Sequence, residues 1–138
     1  MRLIIFSGSH SRHLYVHRKI VKLGFDYLAI VMQRENLIPE SPENIEKKDR
    51  DNFKRHFEER LSVEKKIYSD LKVDNVFDKD KALMISPKDL NSEQVCKKVI
   101  EFKPDIAFIF GCDLIKEPLI SILPKYKINL HLGLSPWY

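Results

Sequence analysis

The chain predicts a doubly wound, Rossmann-like parallel α/β sheet of about five strands. Short apolar runs recur between longer stretches with helical spacing. The runs are apolar almost throughout instead of alternating, as in strands covered on both faces. Strand and helix patterns alternate along the chain, which is the signature of right-handed crossovers in one sheet.

Leu3–Phe6 is the first run, closed by Ser7-Gly8. Arg12–Leu23 follows as a helix, with Ser11 as its N-cap and Gly24 as its stop. Tyr27–Met32 is a second buried strand. Glu35–Lys48 is polar, carries Pro39 and Pro42, and reads as a loop. Asp49–Leu71 is a long amphipathic helix with Phe53, Phe57, Leu61, Ile67, Tyr68 and Leu71 on one side and charges on the other. Ala82–Ile85 is a third strand. Asn91–Phe102 is a capped helix with Val95, Val99 and Phe102 turned inward, ended by Lys103-Pro104. Ile106–Phe110 is the fourth strand, Gly111–Leu114 a turn, Glu117–Leu123 a short helix and Lys127–Leu130 the fifth strand. No helix follows that strand, so the domain, residues 1–138, is expected to be incomplete at its carboxyl end.

Composition narrows the class. At 43% hydrophobic the chain can fill a core, and at 32% charged its surface is well solvated. A net charge of +4 is too small on this length to argue for nucleic acid. The opening Met1-Arg2-Leu3-Ile4-Ile5-Phe6 is too short an apolar stretch for a signal peptide or a membrane span. Cys96 and Cys112 form no metal or redox spacing and read as free thiols. A cytoplasmic protein that binds neither membrane nor nucleic acid is expected.

Two strand ends carry chemistry. In Ser7-Gly8-Ser9-His10-Ser11-Arg12-His13 a small-residue turn opens a helix, and backbone N–H groups there attract anions. It lacks the G-x-G-x-x-G spacing, so a dinucleotide fingerprint is not supported. His10, His13 and His17 have no acidic or thiol companion nearby and read as surface histidines, with no metal site. Gly111-Cys112-Asp113-Leu114 closes the fourth strand, where Asp113 is either a site carboxylate or a helix cap. At the end of the fifth, Asn129 and His131 are two residues apart and project to one side. An amide can donate to an oxyanion, and an imidazole moves protons near neutral pH. Together they suit acyl transfer to an amine.

The segment Asn129-Leu130-His131-Leu132-Gly133-Leu134-Ser135-Pro136 resembles the Asn-x-His and following loop of the formyltransferases that use 10-formyltetrahydrofolate. Asn129, His131, Leu134 and Pro136 match, and Ser135 replaces a leucine. Ser7-Gly8-x-x-Ser11-x-x-Leu14 is similar to the substrate-phosphate loop of the glycinamide-ribonucleotide branch, although His10 stands where that branch has glycine. Phe110-Gly111-x-x-Leu114-Ile115 resembles the segment that seats the pterin.

The resemblance implies formyl transfer from 10-formyltetrahydrofolate to a small-molecule amine that carries phosphate. It implies Asn129 and His131 as catalytic residues, Phe110, Gly111, Cys112 and Leu114 for the cofactor, and Ser7, Gly8, Ser9, Ser11, Arg12 and His13 for the substrate. In the family an aspartate beyond the histidine orients it, and no position of this sequence matches it. The chain alone is therefore expected to be inactive. The long insertion Arg34–Leu71 and the cationic first turn favour a nucleotide-linked amino sugar as acceptor. The alternative is a non-catalytic folate- or nucleotide-binding module, or an inactive fragment. An incomplete sheet edge would also favour pairing into a homodimer.

Overall fold

The computed structural model describes residues 1–69 and 71–131. Its centre is a five-stranded sheet in the order β3-β2-β1-β4-β5, every neighbouring pair parallel. The strands are β1 (Arg2–Gly8), β2 (Asp26–Met32), β3 (Ala82–Ile85), β4 (Ile106–Phe110) and β5 (Tyr126–Asn129). The helices are α1 (Ser11–Val21), α2 (Lys47–Tyr68), α3 (Glu93–Phe102) and the single turn α4 (Leu119–Ile122). The chain winds outward from β1 to β3, then returns to place β4 on the other side of β1. The crevice between the carboxyl ends of β1 and β4 is thus the switch point of the fold, where such sheets bind ligands.

Side-chain alternation along the strands builds two cores. Ile4, Phe6, Ile30, Met32 and Ala107 pack with Val95 and Val99 of α3 and Leu119 of α4. Leu3, Ile5, Tyr27, Ala29 and Val31 pack with Leu14 of α1, Val76 and Phe77. The three central strands are covered on both faces, as their unbroken apolar runs predict. β5 is different, because all four of its residues are exposed.

Several boundaries depart from expectation for local reasons. The N-cap of α1 is His10, not Ser11: His10 is extended and its carbonyl accepts from the His13 and Leu14 amides. Ser11 Oγ instead donates to the Leu71 carbonyl at 3.4 Å. α3 starts after Ser92, whose Oγ accepts from Val95 N. Asn91 spans to the β4–α4 loop, donating to the Leu114 carbonyl at 3.1 Å and accepting from Lys116 N at 2.7 Å. The helix expected over Glu117–Leu123 shrinks to α4. α2 has no buried residue, and Ile67 points to solvent instead of joining its packed side. Among the described residues no helix is long and apolar enough to cross a membrane.

Candidate functional site

The switch-point crevice is built by two glycines and one imidazole. Gly8 ends β1 and Gly111 follows β4 with φ +86°, a left-handed conformation that favours glycine. The His13 ring lies against both. A Cβ on Gly8 would meet His13 Nδ1 at 2.5 Å, and one on Gly111 would collide with the same ring. The ring also meets Phe110 edge-on, centroids 4.7 Å apart. Gly111→Ala is therefore expected to destabilise the fold by about 1–3 kcal/mol, the usual cost of overpacking, with His13 forced out of its seat. A urea midpoint equal to wild type would contradict this packing.

The expectation of surface histidines fails. His10, His13 and His17 are all buried, His13 to 5% and His17 to 0% exposure. His17 Nε2 donates to the Phe110 carbonyl at 3.3 Å, so its Nδ1 is the unprotonated nitrogen. His13 Nδ1 and His17 Nδ1 are buried without a hydrogen-bond partner. Burial holds His17 down to about 4 despite the hydrogen bond to Phe110. Burial, helped by the neighbouring Arg12 charge, holds His13 at about 3 and His10 at about 4. At neutral pH all three are uncharged, so none supplies positive charge to an anion. The sequence does hold a signal for this: His10, His13, Leu14, His17 and Val21 follow the three-and-four spacing of a buried helical stripe.

The residues proposed for substrate divide into two groups. Gly8, Ser9, Arg12 and His13 line a cavity of about 190 Å³ together with His10, Arg34, Gly111 and Cys112. Ser7 and Ser11 are committed elsewhere, and Arg12 is in addition paired with α2. Ser7 Oγ is buried and donates to the Gly8 carbonyl at 2.8 Å. Arg12 Nη1 contacts both oxygens of Glu64 on α2, at 2.8 and 2.9 Å. Asp113 does not cap a helix; it is exposed and pairs with Arg34. Burial pushes the Cys112 thiol up to about 11, which leaves it a poor nucleophile.

Of the residues proposed for the cofactor, Phe110 lies under His13, Gly111 and Cys112 line the small cavity, and Leu114 stands 73% exposed beyond them. Asn129 ends β5 opposite Ile109 of β4, and the Leu130 amide still donates to the Ile109 carbonyl at 2.9 Å. Asn129 and His131 are both exposed. The strand pairings put Phe6, Ile109 and Asn129 side by side across three strands. The end of β5 therefore lies level with the switch point. Leu134, Ser135 and Pro136, which complete the resemblance, lie outside the described residues.

The doubly wound parallel sheet, with a glycine-walled crevice at its switch point, defines a Rossmann-like α/β domain. Among solved structures the chain is similar to a phosphoribosylglycinamide formyltransferase from Anaplasma phagocytophilum, with a TM-score of 0.53 and 14% identity, over 99% of this chain and 52% of that one. It is also similar to a glycinamide ribonucleotide transformylase 1 from Symbiobacterium toebii, with a TM-score of 0.46 and 14% identity, over 99% of this chain and 53% of that one. The chain shares the fold of the first and spans about half the length of each. No protein-family model and no curated protein matches it.

Proposed function

We propose that this chain is the N-terminal part of the catalytic domain of a 10-formyltetrahydrofolate-dependent formyltransferase. The observation that carries the reading is Asn129-x-His131 at the carboxyl end of β5, level with the switch point, in a fold shared with a formyltransferase.

In this reading the acceptor amine attacks a formyl carbon held at the end of β5. Asn129 donates to the oxygen as its charge develops, and His131 takes the proton that the amine releases and returns it to the leaving nitrogen. The folate supplies the activated formyl group. Phe110, Gly111, Cys112 and Leu114 would hold its ring, and the exposed side chains of Leu114 and Leu130 at the ends of β4 and β5 fit an apolar, flat partner. Gly8, Ser9, Arg12 and His13 would face the acceptor, and Ser7 and Ser11 would shape the turn behind them. The acceptor is a phosphate-bearing amine, and a nucleotide-linked amino sugar is its favoured class. The same fold and crevice would also serve a non-catalytic folate- or nucleotide-binding module, which binds folate without turnover.

Calorimetric titration of the chain with 5-formyltetrahydrofolate tests the folate half. Saturable binding that survives His131→Ala is expected, since the imidazole acts on the transferred group and not on the ring. A folded chain that shows no binding counts against both readings. Transfer of the formyl group to an amine then separates the enzyme from the module.

A further inference from the structure

β1 lies between β2 and β4 in the sheet, so a bond from the end of β2 to the end of β4 passes over the end of β1. Arg34 and Asp113 make such a bond. Arg34, two residues beyond β2, donates through Nη2 to Oδ1 of Asp113, three residues beyond β4. The two partners are held differently. Asp113 sits on a pinned loop, because the Asn91 side chain donates to the Leu114 carbonyl at 3.1 Å and accepts from Lys116 N at 2.7 Å. Arg34 opens a loose segment. The Gln33 amide still donates to the Ile85 carbonyl of β3 at 2.9 Å, but among the described residues 34–45 make no backbone hydrogen bond to any element of the fold. Such a segment opens at low cost. Arg34 is thus the first residue free to swing, and Asp113 is its fixed catch. The pair also stands at a partition. Arg34 lines the switch-point cavity of about 190 Å³ with Gly8, Gly111 and Cys112, and it lines a cleft of about 1140 Å³ with Leu37, Ile38 and Met84.

We propose that the Arg34–Asp113 pair is a gate between the switch-point crevice and the cleft. Closed, it ties the loose segment to the pinned loop over the end of β1. Open, the segment swings away from Asp113, the two spaces join, and Cys112 is reached from the cleft side. The pair suits this use because it is weak. Its side chains are 43% and 45% exposed, and an exposed ion pair shifts an equilibrium by no more than about fivefold. A buried, packed lock would hold the crevice shut; this one yields to thermal motion or to an entering ligand. The gate governs access alone, and it stands whether or not a formyl group is transferred behind it.

The two free thiols test it. Iodoacetamide is small and neutral, and mass spectrometry of the two cysteine peptides follows each rate separately. Cys112 lines the crevice, whereas Cys96 is buried in the core on α3 and reports loosening of the whole fold. Arg34→Gln should speed Cys112 by about two- to fivefold with Cys96 unchanged. Thiol electrostatics would act the other way, since losing a nearby cation disfavours the thiolate and slows the reaction. Glu35→Gln, beside Arg34 in the same segment, should leave both rates at wild type. Added sodium chloride screens exposed pairs, so it should speed Cys112 more in wild type than in Arg34→Gln. A Cys112 rate unchanged or slowed in Arg34→Gln, matched by Cys96, equalled by Glu35→Gln, or equally salt-sensitive in both proteins would overturn the gate. None of these readings uses folate, so their failure is separate from failure of the formyl-transfer reading.

Discussion

Between pH 6.5 and 4 the chain is expected to lose stability steeply, and most of that loss should come from α1. The direction follows from which state holds the proton. Folded, His10 and His17 titrate at about 4 and His13 at about 3; unfolded, each returns to 6.5. In that window the unfolded chain binds more protons, so stability is complete above 6.5 and falls as pH falls. Each group contributes up to about 1.4 kcal/mol per pH unit, so His13 and His17 together remove up to about 3 kcal/mol for each pH unit of the window. That is a large fraction of a domain's usual 5–15 kcal/mol.

The groups facing His13 and His17 are mainly aromatic or cationic, whereas His10 has the Glu64 carboxylate nearby. Phe108, Phe110 and Phe77 surround His17. His13 meets Phe110 and His10, with the Arg12 and Arg34 charges nearby opposing its protonation. Urea midpoints from pH 7 to 4 check the effect, with His17→Phe as comparison. That variant removes one titration and should flatten the slope by about one proton, after losing about 1 kcal/mol at pH 7 for the hydrogen bond to Phe110. An identical pH slope in both proteins would show that His17 is already charged or already solvated in the folded chain.

The same histidines mark the boundary of what the sequence discloses. The central strands, their parallel sense and the switch point follow from apolar runs such as Ile106–Phe110, because a strand buried on both faces has no other simple pattern. Ala82–Ile85 and Ile106–Phe110 fall on their observed limits. The buried stripe of α1 is harder to read, since histidine counts as polar and its burial depends on glycines 8 and 111 leaving room. No local pattern announces that pairing of two distant turns. Arg12 illustrates the same limit. A cation in a helix's first turn reads as an anion ligand, yet its carboxylate partner arrives 52 residues later on α2. Asn129 is the opposite case: the sequence reads it at a strand end, and the sheet topology sets the end of β5 level with β1 and β4, with His131 two residues beyond the strand.

Asn129→Ala should lower kcat for formyl transfer by two to three powers of ten, in the protein that carries this chain and turns over a formyl donor. The magnitude is that of removing one preorganised oxyanion donor, about 2.7–4 kcal/mol in the barrier. The loss belongs in kcat because the amide meets full negative charge only as the amine adds; folate and acceptor binding should change little. Structural collapse is not expected to mimic it, since Asn129 is exposed and its strand pairing runs through backbone atoms. His131→Ala should cost a comparable factor through proton transfer, and added imidazole should restore part of it, whereas it should restore nothing to Asn129→Ala. A near-normal kcat in Asn129→Ala would remove the amide from the mechanism. A KM effect alone would make Asn129 a binding residue, and the crevice a place that holds folate without acting on it.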